Sequence, residues 1–80
     1  MKKYYFNMEK NEHHIFYVYN CLKNDEKWDE ARKVGEIYDT LMGSKVSYRY
    51  ALVEWPVWKQ ASEIVAMADE FRSNRTNRWN

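Results

Sequence analysis

The sequence predicts an α+β fold in the order ββαβα: a two-layer domain with a small three-stranded antiparallel sheet, strand order 2-1-3, and two helices on one face. Three observations carry that expectation. Residues 2–8 and 45–53 alternate side-chain character from one position to the next, the period of a strand. Residues 28–42 repeat apolar side chains at spacings of three and four, the period of a helix with one buried stripe. Pro56 then stands where a second helix can begin, because the first helical turn has no use for the N–H that proline lacks.

Taken in order, the first strand places Tyr4, Phe6 and Met8 on one face and Lys3, Tyr5 and Asn7 on the other. Glu9-Lys10-Asn11-Glu12 is polar and reads as a hairpin loop. His13 to Leu22 is dense in β-branched and aromatic residues and is expected to form the second strand. Ile15, Tyr17, Tyr19 and Cys21 would share one of its faces, and His14, Phe16, Val18 and Leu22 the other. Both faces are apolar, as in an inner strand or one with an exposed aromatic side.

Asn24 or Asp25 is the expected cap of the first helix, and Asp25, Glu26, Asp29 and Glu30 put negative charge near its positive end. Its stripe is Trp28, Ala31, Val34, Ile37, Tyr38, Leu41 and Met42, and Gly43 closes it. Gly35 inside that helix costs up to about 1 kcal/mol against Ala, which suggests close packing there. The third strand sets Val46, Tyr48, Tyr50 and Leu52 against Ser47, Arg49, Ala51 and Val53. The second helix buries Val57, Trp58, Ala61, Ile64, Val65, Ala68 and Phe71. Periodicity stops there, so residues 1–72 read as one domain and 73–80 as a flexible basic tail. Strand order 2-1-3 follows from the preference for antiparallel neighbours, and it leaves one sheet face bare.

The chain of 80 residues leaves room for one small domain, whose thin core must be supplemented by its aromatics. Seven Tyr, four Trp and three Phe are too many for such a core to hide, so some belong on the surface. That density also excludes a disordered segment, and no apolar run reaches the ~18 residues of a membrane span. Net charge is +1, made of an acidic stretch at 25–43 and a basic end carrying Arg72, Arg75 and Arg78. Cys21 is the only cysteine, so no internal disulfide is available. Tyr4, Tyr5, Phe6 and Asn7 follow Met1-Lys2-Lys3 without an apolar run, so no export signal is read and a cytoplasmic location is expected.

Catalytic chemistry finds little support. His13 and His14 are adjacent and would point to opposite faces of a strand, which disfavours a shared metal ion. Cys21 lies in an apolar tract and reads as a buried, inert thiol. No serine has a nucleophile-elbow context, and neither glycine sits in a phosphate loop. The carboxylates are interleaved with Lys and Arg, as on a solvated helix face. No catalytic residue, metal or cofactor is therefore expected.

What remains is binding. Tyr, Trp and Arg dominate the energetic centres of protein interfaces, and Tyr5, Tyr17, Tyr19, Tyr48 and Trp55 are the expected contact residues. Short, motif-free α+β chains of this kind are frequent among bacteriophage and mobile-element products. The expected role is accordingly to bind and inhibit or modulate a host protein, with a second copy of the chain as another possible partner. The alternative is a single-stranded DNA or RNA binder that stacks bases on the sheet and neutralises phosphate with Lys2, Lys3, Arg49, Arg75 and Arg78. A net charge of only +1 weighs against it.

Overall fold

Strand β1, Lys3–Asn7, runs directly into a helix, and Asn7 makes the switch. Its backbone is extended and its side chain accepts a hydrogen bond from the Lys10 N–H at 2.8 Å, capping helix α1, Met8–Asn24. The computed structural model describes residues 2–79, with side chains described as far as Asn74. Helix α2 is Trp28–Gly43, strand β2 is Tyr50–Glu54, and helix α3 is Trp55–Trp79.

The architecture is thus βααβα, with three helices and, among the described residues, a two-stranded sheet. This corrects the expected ββαβα order and its three-stranded sheet of order 2-1-3 with two helices. The error lies in residues 9–22, read as a hairpin loop and a second strand, which are the body of α1. Met8, Ile15, Val18 and Leu22 recur at helical spacing and are each at most 1% exposed. Burying that stripe between two other helices outweighs the local strand preference of a β-branched and aromatic tract, which is a weak and context-dependent term. The free thiol of Cys21 is buried with them.

Asn24 and Asp25 end α1 instead of starting α2, whose cap position falls to Lys27 without a side-chain hydrogen bond. The α1 terminus is closed by two backbone bonds, Glu26 N–H to the Lys23 carbonyl at 3.0 Å and Lys27 N–H to the Leu22 carbonyl at 2.9 Å. That pair requires a left-handed residue between them, and Glu26 supplies it at φ 60°. The position usually belongs to glycine, and without one the end of a helix is not marked in the sequence at the boundary expected around Asn24 and Asp25.

Strands β1 and β2 pair antiparallel, Lys3 opposite Glu54 and Asn7 opposite Tyr50. Phe6, Ala51 and Val53 face inward and are buried, while Tyr5 and Tyr50 stand on the other face. Of the strand expected over 45–53, only its second half is continuous. Lys45 makes an isolated bridge to Ala51, and the Leu52 N–H donates to the Ser44 carbonyl at 3.0 Å. Between them the chain turns around Ser47, whose hydroxyl accepts from the Arg49 and Tyr50 N–H groups.

Helix α1 packs on both α2 and α3, and the sheet closes against the helices. Met8, Ile15, Leu22, Leu41 and Val18 are the largest fully buried side chains. Each contributes roughly 1.5–3 kcal/mol by leaving water. Ala31, Ala51, Ala61 and Ala68 are buried in the same cluster. Among the described residues no helix is long and apolar enough to cross a membrane.

Candidate functional site

The abrupt passage from β2 into α3 brings two tryptophans onto the first turn of a helix. Trp55 and Trp58 are three residues apart, a spacing that puts both on one helix face. Their rings stack with centroids 5.3 Å apart and planes 13° apart. Tyr4 of β1 meets Trp55 edge-on at 5.3 Å and lies tilted to Trp58 at 6.4 Å. Ring pairs of this kind add about 0.5–1.5 kcal/mol beyond the area they bury.

The cluster is only half withdrawn from water. Trp58 packs against the core, whereas Trp55 is 48% exposed. The Trp58 indole N–H donates to the Tyr5 carbonyl at 3.1 Å, which ties α3 to the outer edge of β1. On the other sheet face Tyr5 meets Tyr50 with centroids 5.8 Å apart in a T-shaped pair. Aromatic side chains therefore flank the β1 edge on both sides.

Of the expected contact residues, Tyr5 and Trp55 lie at this surface. Tyr48 is 79% exposed in the turn before β2, with the Lys45 ammonium 5.7 Å from its ring centroid. Tyr17 and Tyr19 would share one face of a strand, but helix α1 sends them apart. Tyr17 lies beneath the Arg72 guanidinium, 4.5 Å away, on the side of α3, and Tyr19 packs against Gly35 of α2. Tyr4 and Trp58 were not foreseen as contact residues. The Trp55–Trp58 spacing was the readable signal for one of them, and Tyr4 joins only through strand register.

The basic residues do not converge. Lys2 and Lys3 are exposed at one end of the sheet, and Lys3 stands opposite Glu54. Arg49 is at the other end, where its Nε donates to Glu9 Oε2 at 2.9 Å. Arg75 and Arg78 lie outside the residues whose side chains are described, and the backbone of the tail expected at 73–80 continues helix α3 as far as Trp79. His14 and Arg72 contact each other at 2.8 Å, with the guanidinium donating to Nδ1. Among the described residues no three His, Cys, Asp or Glu side chains gather as a metal site.

Fold and surface together define a small α+β domain with an aromatic face at its strand–helix junction. No family model, curated protein or solved structure matches the chain.

Proposed function

We propose that the protein is a non-catalytic binding module that docks on another protein through the face built by Tyr4, Trp55 and Trp58 with Tyr5. The observation that carries this reading is the stacked Trp55–Trp58 pair left half open to water. Large aromatics held by their neighbours lose little side-chain entropy on binding and bury much area, which is why they form interface centres. The Tyr5 carbonyl is already engaged by Trp58, so a partner is received by side-chain burial rather than by strand addition. A cytoplasmic host or cognate protein that the module inhibits or modulates, as mobile-element products do, fits this role. A second copy of the chain is the other partner to consider.

The test is capture from bacterial lysate, nuclease-treated and untreated, by the wild-type chain and by Trp55→Ala, compared by mass spectrometry. A protein held by the first and lost by the second supports the reading, since a central aromatic is worth about 2 kcal/mol or more, roughly 30-fold in affinity. Equal capture by both sinks it. Proteins that disappear on nuclease treatment alone would move the nucleic-acid alternative ahead.

A further inference from the structure

A second group of three rings lies between α1 and α2. Phe16, Tyr19 and Tyr38 line a half-open cleft of about 200 Å³ together with Ile15, Gly35 and Asp39. The Phe16 centroid is 6.4 Å from both tyrosine rings, with planes inclined at 38° to Tyr19 and 58° to Tyr38. The rings therefore splay around an opening instead of stacking. Two of them are held in place. The Tyr38 hydroxyl donates to Glu12 Oε1 at 2.9 Å, and the missing side chain of Gly35 lets Tyr19 lie against α2. A Cβ at Gly35 would stand 3.3 Å from Tyr19 Cε1.

Ring faces are negative and attract cations. Here Asp39 adds a carboxylate to the wall and Glu12 another behind Tyr38. The chain itself exploits that attraction: the Lys23 ammonium rests 5.1 Å from the Tyr19 centroid, outside the lining of the cleft. The cleft is smaller than the ~300 Å³ at which sites for drug-sized ligands begin, so it suits a compact head group. We infer that it is a cage for an alkylammonium cation, trimethylammonium fitting best, held by Phe16, Tyr19 and Tyr38 with Asp39 balancing the charge. It shares no residue with the Trp55 face, so the two readings stand or fall separately.

The experiment is an NMR titration following the aromatic side chains of the whole chain. Three probes are used: choline, acetyl-trimethyllysine-amide, and the neutral tert-butyl analogue of choline in which carbon replaces nitrogen. Saturable shifts at Phe16, Tyr19 and Tyr38 are expected with a cation, at about ten-fold higher affinity than with the neutral analogue. Tighter choline binding assigns the site to a free small molecule, and tighter trimethyllysine binding assigns it to a partner's side chain. Phe16→Ala should abolish the shifts, and Asp39→Asn should weaken both cations while leaving the neutral analogue unchanged. Equal binding of the neutral analogue, no saturation with either cation, or undiminished binding in both variants overturns the assignment.

Discussion

Tyr4, Trp55 and Trp58 at the strand–helix junction and Phe16, Tyr19 and Tyr38 between α1 and α2 are both groups of three rings, yet they meet water differently. The first has an indole stack at its centre, and its visible hydrogen bond is spent inward on the Tyr5 carbonyl. The second encloses a space, keeps its planes apart, and has carboxylates on Asp39 and Glu12 beside it. Ring count alone does not distinguish a docking face from a cage. The distance between planes and the charge at the rim do.

Substitutions at the two groups should separate along that line. The largest effect belongs to Trp58→Ala, which removes a core-packed ring and leaves the Tyr5 carbonyl without its indole partner. A loss of about 2 kcal/mol is expected by denaturant unfolding, below the 3–5 of a fully buried Trp because the ring is only partly covered. Trp58→Phe should recover about half of it, since a ring returns while the hydrogen bond, worth ~1 kcal/mol, does not. An unchanged midpoint in Trp58→Ala would mean that the junction is not held by this residue. Next comes Trp55→Ala, for which stability should fall by only about 1 kcal/mol, from the lost ring contacts to Trp58 and Tyr4, while partner capture collapses. A matched loss of both would make Trp55 structural.

Gly35→Ala is smaller and more discriminating. The helix gains up to about 1 kcal/mol of propensity, and Tyr19 must yield by a few tenths of an ångström to the new Cβ. The two effects nearly offset in stability, whereas affinity for a trimethylammonium probe should fall. Calorimetry beside the NMR titration reads both; unchanged cation affinity would remove Gly35 from the cage.

The last effect is a pH dependence. Burial first, then the hydrogen bond to Glu12 and the negative charges of Glu12 and Asp39, raise the Tyr38 hydroxyl above its ordinary value of 10.0. The folded state thus keeps this proton longer than the unfolded chain. The stabilisation is complete below the unfolded value and is lost as pH rises through the folded one. Tyr38→Phe should flatten that part of the alkaline decline in stability, and identical slopes in the two proteins would argue against the Tyr38–Glu12 contact.

Part of this was legible from the residues. Helix α2 announces itself because Ala31, Val34 and Leu41 keep helical spacing among polar neighbours, so only one period fits. The tract from His13 to Leu22 fits two periods at once, since nearly every position is apolar or aromatic, and packing decided between them. A polar residue in place of Phe16 or Tyr17 would have removed the ambiguity. Surface aromatics were inferred from their excess over what a small core can hold, and of the five named Tyr5, Tyr48 and Trp55 are exposed whereas Tyr17 and Tyr19 are partly buried against the core. Which rings meet was not readable. Tyr4 reaches Trp55 through the pairing of β1 with β2, which sets Tyr4 opposite Val53, and Tyr19 reaches Gly35 only once 13–22 is helical.

The pairing of β1 with β2 also sets a timetable. Residues 3–7 find their partners only at 50–54, with two helices between, so the sheet closes a long loop and is costly to nucleate. On a ribosome adding about 5–20 residues per second, β1 waits roughly 2–10 s before β2 has been made. Through that interval Tyr4, Tyr5 and Phe6 have no strand beside them, and α1 and α2 are free to associate first. Strand β1 is thus made well before its partner and is among the last elements to be secured, which leaves its aromatic run in need of shelter while the chain is growing.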